Sequence, residues 1–268
     1  MCGQDEHSKS KGRSISILLY RLKVDRVKIQ RARELWKEQV NIKKERENQR
    51  FSELSLPKEY RPLYEPSSSY FHERAKNYVL SRGMTELDIV KYRIGYCVDG
   101  RYSDRVILPS YDESGQLNFF AGRSWLPEPS QKFIVPDDID KDIICYESTI
   151  NWSDPVIIVE SQFNAITIRR NAIPLNGKSI PTKLKQKIIE RNPPKVVLCL
   201  DGDALTTAMK HAQYFIQNGV PVYKVNIPAN QDANSLGYEA VWELIDAAER
   251  ITESDSFQFK ILNRLKGQ

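Results

Sequence analysis

Acidic side chains follow three apolar stretches in the second half of the chain, at points where buried strands would end. Glu160 closes the stretch PVIIVE, Asp201 and Asp203 follow KVVLCL, and Asp232 follows VPVYKVNIPANQ. The carboxyl ends of parallel strands meet at one edge of a sheet, where ligands commonly bind. Carboxylates gathered there repel one another unless a cation shares them, and oxygen-only ligands favour Mg²⁺ or Mn²⁺. The spacing therefore predicts a divalent metal site that receives phosphate groups.

Each acid taken singly has a second interpretation. An aspartate at a strand end is commonly a turn former or a helix N-cap, and Asp203 could cap a helix that begins near Ala204. Three acidic strand ends in one sheet favour the metal site over three separate turns.

The elements that must position these acids alternate between strands and helices from residue 154 onward. Short apolar runs such as VIIVE are typical of strands that are buried on both faces. Helical stretches of about 10 to 15 residues separate them, which predicts βαβ units and a parallel sheet flanked by helices. The fold class is therefore α/β, and its last helix is predicted to span GYEAVWELIDAAERI, residues 237–251.

A different set of elements precedes residue 154. Residues 49–70 contain three prolines and a serine cluster, which indicates an extended linker. A helix is then predicted to end at Gly83, and Thr85 is predicted to cap the next helix. Residues 101–125 indicate two strands joined by a turn at residues 112–115. This part of the chain is predicted to be a smaller α+β subdomain.

Composition narrows the class of protein. With 40% hydrophobic and 28% charged residues in 268, the chain reads as globular, and no window approaches the roughly 20 apolar residues that cross a bilayer. We expect no membrane partner and, without a secretory signal, a cytoplasmic location. The four scattered cysteines then indicate buried free thiols. The net charge is +5, with long basic runs in residues 1–62, which suits a polyanionic partner.

The ordered acids resemble the Toprim domain, which bacterial-type primases, type IA and II topoisomerases and some nucleases share. That domain has a glutamate after its first strand, a DxD pair after a later strand and a further acidic motif downstream. Upstream, the stretches YVLSRGMTELDIVKYRIGYC, RYSDRVILPSYDESGQLNFFAGRSW and SQKFIV resemble the catalytic core of DnaG-type primases. The short connection between GRSW and QKF is most similar to the primases of tailed bacteriophages.

The resemblance implies a role for each matching residue. The catalytic residues would be Glu160, Asp201 and Asp203, and the metal ligands would be the same three with Asp232. Residues that bind nucleic acid or nucleotide would be Arg105, Arg123, Lys132 and Lys141. Auxiliary residues would be Asn164, Asn234 and Lys178. Glu160 fits either a metal ligand or a general base, and the sequence leaves both roles open.

The chain departs from the family pattern at several positions. Ser161 replaces a glycine, and Asn164 and Asn234 stand where the family has acids, so the site offers four carboxylates instead of six. This departure leaves open whether one or two metal ions bind. A structural zinc site needs four ligands, and Cys2 and His7 supply at most two. We therefore expect no intact zinc ribbon, and we expect no helicase-binding domain at the carboxyl end.

These inferences predict a DNA primase core that makes RNA primers on single-stranded DNA from ribonucleoside triphosphates with Mg²⁺ or Mn²⁺, in phage replication within a bacterial host cell. A replicative helicase is a further expected partner. Four parts are predicted: a basic helical segment with a linker over residues 1–69, an α+β subdomain over 70–153, a Toprim domain over 154–250 and a tail over 251–268. Two alternatives stay open: a Toprim nuclease or other phosphodiester enzyme, and a non-catalytic component that binds single strands or a helicase.

Overall fold

A computed structural model describes residue 31 and residues 54–255, apart from residues 138, 178, 202–204 and 253, with the backbone alone for residues 205–208 and 210. Apart from residue 31, the predicted helical segment before residue 54 lies outside this range, as does most of the predicted tail. The described part contains two five-stranded sheets together with helices, which confirms the mixed α/β fold class.

The first sheet is antiparallel, and its strands lie side by side in chain order. Its strands are β1 (Arg61–Pro62), β2 (Gly95–Cys97), β3 (Arg105–Tyr111), β4 (Leu117–Ser124) and β5 (Phe133–Ile134). Two helices, α1 (Tyr70–Ser81) and α2 (Glu86–Lys91), lie between β1 and β2 in the chain. Short 3-10 helices follow at Gly100–Tyr102 and Glu147–Thr149.

The local signals in this subdomain act as the sequence predicts. Gly83 follows α1 with a φ of +78°, the left-handed conformation that glycine adopts without strain. The Thr85 hydroxyl accepts a hydrogen bond from the Asp88 N–H, and the Asp88 carboxylate accepts one from the Thr85 N–H. This capping box starts α2. Residues 112–115 form the turn of the β3–β4 hairpin, as predicted.

The second sheet contains four parallel strands and one antiparallel edge strand, in the order β10-β9-β8-β6-β7. Its strands are β6 (Val156–Val159), β7 (Ala172–Pro174), β8 (Val196–Leu198), β9 (Val222–Lys224) and β10 (Glu249–Ile251). The helices are α3 (Gln162–Ile168), α4 (Thr182–Arg191), α5 (Leu205–Gln217), α6 (Ala233–Leu236) and α7 (Tyr238–Asp246).

Alternate residues of the parallel strands enter two different cores. Ile157 and Val159 of β6 pack in one cluster with residues of α3 and α7, and this cluster continues into the core of the first subdomain. Val156 and Ile158 pack in the other cluster with residues of α4 and α5. Strands that are covered on both faces need continuous apolar runs. The second sheet is therefore flanked by helices on both sides, as the sequence predicts.

Two boundaries differ from the sequence prediction. Part of the predicted linker folds onto the first sheet, because Arg61–Pro62 pair with β2 and Leu63 is buried. The last helix is shorter than predicted, since it ends at Asp246. Residues 249–251 instead pair with β9 as an edge strand, which satisfies the backbone groups of β9 and buries Ile251. Within the described residues, no helix combines the length and the apolar character that a membrane span requires.

Candidate active site

Three of the predicted acids lie around one cavity of about 820 Å³. Glu160 directly follows β6, Asp201 follows the end of β8, and Asp232 immediately precedes α6. All three side chains are partly buried. The parallel pairing of β6 with β8 sets Glu160 and Asp201 at the same edge of the sheet. Asp203 and Lys178 lie outside the described residues.

Hydrogen bonds orient two of these carboxylates. Glu160 Oε1 accepts a long hydrogen bond of 3.4 Å from the backbone N–H of Asp201. Asp232 Oδ1 accepts one of 2.7 Å from the N–H of Ser235, so Asp232 is the N-cap of α6. Capping engages only one of the two carboxylate oxygens. A helix cap and a cavity wall are therefore compatible roles for the same aspartate.

A pair of buried amides links the acidic edge to the first subdomain. Asn164 Oδ1 accepts a hydrogen bond of 3.1 Å from the backbone N–H of Asn234, which directs Asn164 Nδ2 toward Asp201 Oδ1 at 3.5 Å. Asn234 Nδ2 donates to the Arg82 carbonyl and to Thr167 Oγ1, both at 2.8 Å. Because the backbone N–H needs an acceptor, the Asn164 amide faces Asp201 with its donor. Asn164 therefore contacts Asp201 through its amide donor, at the long limit of hydrogen-bond distance.

Basic side chains form another part of the cavity wall. Arg123 and Lys141, two of the four predicted basic residues, line the cavity. Arg82 also lines it, together with a smaller adjoining cavity bordered by Asp201 and Asp232. The Arg82 guanidinium lies over the Phe163 ring, and its buried Nε has no hydrogen-bond partner. Sequence reasoning missed Arg82, because its only signal is a position at the end of a predicted helix.

The other two predicted basic residues lie elsewhere. Arg105 is 8% exposed and donates to the backbone carbonyls of Ser103 and Gln131 at 2.7 and 3.0 Å, so its guanidinium holds the loop before β5. Lys132 is exposed, and neither this residue nor Arg105 is among the residues that line the two cavities described above. Their predicted contacts with phosphate stay predictions.

A cysteine also borders the cavity, but its environment disfavours reaction. Burial raises the pKa of the Cys145 thiol to about 12, although hydrogen bonds from neighbouring polar groups oppose this shift. One of these neighbours is Asn176, whose Nδ2 lies 2.9 Å from Cys145 Sγ. A thiol with so high a pKa stays protonated at neutral pH and is a poor nucleophile.

The donor set is suited to a hard divalent cation. Within the described residues, no three His, Cys, Asp or Glu side chains lie close enough together to enclose a metal ion. Mg²⁺ rarely needs such a cage, because it commonly binds through one or two carboxylates, several waters and substrate phosphates. Glu160 and Asp201 supply carboxylates at the sheet edge, and the cavity beside them has room for a phosphate ligand. The residues present therefore fit Mg²⁺ or Mn²⁺.

Comparison with known sequences identifies relatives at low identity. No family model matches the chain. A DNA primase of Clostridium acetobutylicum is 25% identical over 198 residues, covering 66% of this chain and 33% of the relative. A DNA primase of Buchnera aphidicola is 28% identical over 192 residues, covering 64% and 32% respectively. The chain thus spans about a third of the length of these curated relatives.

Solved structures share the fold. The DnaG primase catalytic domain bound to ssDNA superposes with a TM-score of 0.59 at 18% identity, covering 68% of this chain and 74% of that one. The zinc-binding and RNA polymerase domains of the Aquifex aeolicus primase superpose with a TM-score of 0.58 at 20% identity, covering 67% of this chain and 57% of that one. The RNA polymerase domain of the Mycobacterium tuberculosis primase DnaG superposes with a TM-score of 0.57 at 13% identity, covering 73% of this chain and 81% of that one.

The fold and the relatives together define the class. The described part of the chain has the α/β fold of primase catalytic cores. More narrowly, the chain is similar in sequence to two DNA primases, and its structural neighbours are catalytic cores of the DnaG type, as the sequence motifs predict.

Proposed function

We propose that this chain is the catalytic core of a DNA primase, which joins ribonucleoside triphosphates into a short RNA primer on a single-stranded DNA template. One observation carries the proposal. Within a DnaG-type fold, the acids Glu160, Asp201 and Asp232 and the basic residues Arg82 and Arg123 border the same cavity. A nucleotidyl transferase needs this combination, because it must bind polyanions beside carboxylates that hold a cation.

In the proposed reaction, the primer 3′-hydroxyl loses its proton to Glu160 or to water and attacks the α-phosphate of the incoming nucleotide. A new P–O bond forms, the bond from the α-phosphorus to the oxygen that bridges to the β-phosphate breaks, and pyrophosphate leaves. Glu160, Asp201, Asp232 and, from its sequence position, Asp203 would hold Mg²⁺ or Mn²⁺. The bound cation would neutralise the triphosphate and stabilise charge on the transferring phosphoryl group. The Asp201 N–H holds Glu160 at this edge, where it would act as a ligand or as a general base.

The basic residues would bind the nucleic acid and the triphosphate. Arg82 and Arg123 present planar guanidinium groups, which suit two-point contact with phosphate oxygens. The exposed Lys141 would contribute a point charge at the cavity. A single-stranded template is supported by the DnaG catalytic domain that was solved bound to ssDNA. A replicative helicase and a phage replication system are expected partners from the resemblance alone.

A template-dependent ribonucleotide incorporation assay tests this proposal. Purified chain would be incubated with single-stranded DNA, labelled ribonucleoside triphosphates and either Mg²⁺ or Mn²⁺. Asp201→Asn keeps the shape of the side chain and removes its charge, so we expect incorporation to fall by about 100-fold or more. Asp246→Asn is the matched control, because Asp246 is exposed at the end of α7 and should leave incorporation unchanged.

The same assay separates the alternatives. Cleavage of the DNA without incorporation, lost in Asp201→Asn, would indicate a Toprim nuclease. Binding of single-stranded DNA with neither reaction would indicate a non-catalytic component. Incorporation that Asp201→Asn leaves unchanged would refute the proposed site.

A further inference from the structure

Part of the cavity wall is apolar, and the proposed phosphate chemistry does not use it. This wall is formed by side chains from β4, β5 and the segment that follows them. Its members are Phe119, Ala121, Phe133, Val135, Ile139 and Ile143. An apolar wall in the same cavity as carboxylates and guanidinium groups suits a ligand that is both anionic and flat, with an apolar face.

Phe133 is the aromatic residue of this wall that is open to solvent. It leaves 44% of its surface exposed, more than any other member of this wall. In the register of the first sheet it lies directly opposite Arg123, whose guanidinium carbon is 4.6 Å from the ring centroid. Tyr78 also holds this arginine, because its hydroxyl accepts a hydrogen bond of 3.0 Å from Arg123 Nε.

A second arginine–aromatic pair in the same cavity shows the contrast. Arg82 lies over the Phe163 ring at 5.2 Å, but Phe163 is only 3% exposed and belongs to the core. That ring is already covered by the protein. The Phe133 ring also has a guanidinium over it, that of Arg123, yet much of its surface is open to the cavity and solvent.

We propose that Phe133, with Arg123 stacked on it, is a platform on which a nucleobase stacks inside the cavity. The proposal rests on the proposed function, and it names the part of the ligand that this wall receives. Every base has a flat π-face, so stacking on an aromatic or guanidinium plane tolerates different sequences. The base belongs either to the template strand or to the incoming nucleotide, and its phosphates extend toward the basic residues.

Binding measurements with paired ligands test the platform. An oligodeoxythymidine is compared with the same backbone carrying abasic sites, and ATP is compared with inorganic triphosphate. We expect Phe133→Ala to weaken binding of the oligodeoxythymidine, of ATP or of both by roughly tenfold. The ligands that lack a base should bind nearly as they do to the unchanged protein. The ligand that loses affinity identifies whether the base comes from the template or from the nucleotide.

Further variants separate stacking from a structural effect. Phe133→Trp should retain binding, while Phe133→Leu keeps an apolar side chain without a π-face and should lose affinity as alanine does. Phe71→Ala removes another exposed aromatic, on α1 and outside the lining of the cavity, and should change nothing. Circular dichroism and thermal unfolding verify that each variant is folded.

Three outcomes would overturn the platform. The first is an equal loss for ligands with and without a base, because Phe133 would then act only by holding Arg123. The second is full affinity in Phe133→Leu or in Phe133→Ala. The third is an unchanged protein that binds neither nucleic acid nor ATP, which would also refute the proposed function. If the unchanged protein makes primers and Phe133→Ala binds every ligand as tightly as the unchanged protein does, the platform is refuted and the proposed function is not.

Discussion

Replacing Asn164 with aspartate tests how the buried amides shape the acidic edge. The substitution keeps the size of the side chain and the acceptor that the Asn234 N–H requires. It exchanges the amide group, which points at Asp201 Oδ1 from 3.5 Å, for a second carboxylate oxygen. An attractive contact with Asp201 therefore becomes a repulsive one at neutral pH.

The size of the effect follows from this distance. Two unit charges about 3.5 Å apart repel by roughly 5 kcal/mol at an effective dielectric constant of about 20. One of the two carboxylates can instead take up a proton, which costs about 4 kcal/mol at pH 7 for an ordinary aspartate. We therefore expect the free energy of unfolding to fall by at most about 4 kcal/mol in EDTA. For a protein of this size, a loss of this magnitude lowers Tm by about 8 to 16 °C. A cation held between the two carboxylates would remove the repulsion, so Mn²⁺ should restore most of the lost stability.

Thermal unfolding in EDTA and in saturating Mn²⁺ measures the effect. Two variants serve as controls. Asn164→Ala leaves the buried Asn234 N–H without its acceptor, so it should cost about 1–3 kcal/mol in both conditions. Asn234→Asp places a carboxylate oxygen against the Arg82 carbonyl, away from Asp201, so Mn²⁺ should not rescue it. Two results would refute the predicted repulsion. Asn164→Asp could be as stable as the unchanged protein in EDTA, or it could lose the same free energy of unfolding with and without Mn²⁺.

Two other predictions concern charges and thiols. A hydrogen bond from Lys187 lowers the pKa of Glu113 below its ordinary value of 4.5. The ionised carboxylate therefore stabilises the folded protein fully above pH 4.5. This stabilisation is lost as the pH falls through the lowered pKa. The difference in Tm between the unchanged protein and Glu113→Gln should be small, since the pair is exposed, and should vanish in acid. Burial raises the pKa of three thiols to about 12, namely those of Cys97, Cys145 and Cys199. Iodoacetamide should therefore modify them only after unfolding, as mass spectrometry would show; rapid modification of the folded chain would contradict their burial.

The sequence predicts the meeting of strand ends because topology alone requires it. Alternating strands and helices imply a parallel sheet, and parallel strands share one carboxyl edge, so the positions of Glu160 and Asp201 follow without side-chain detail. Arg82 could not be predicted in this way. It comes to the acidic edge because its backbone carbonyl accepts a hydrogen bond from Asn234, 152 residues later in the chain. Contacts of this range depend on the packing of the two subdomains, which no local pattern encodes.

The register of the first sheet separates residues that sequence reasoning grouped together. The resemblance predicts one basic groove from Arg105, Arg123 and Lys132. In the structure, Arg105 lies opposite Ser124 rather than Arg123, and directly opposed residues share a face of an antiparallel sheet. Since successive residues alternate between faces, Arg105 and Arg123 lie on opposite sides of the sheet.

The same alternation explains which residues reach the cavity. Phe133 lies opposite Arg123 and shares its face, which leaves Lys132, the preceding residue, to the other side. Residues 119, 121 and 123 of β4 line the cavity with residues 133 and 135, two residues apart throughout. A shift of one residue in the β4–β5 pairing would exchange Phe133 for Lys132 and replace a stacking surface with a charge. Whether this wall binds a base or a phosphate therefore depends on the sheet register, which the residue types alone do not determine.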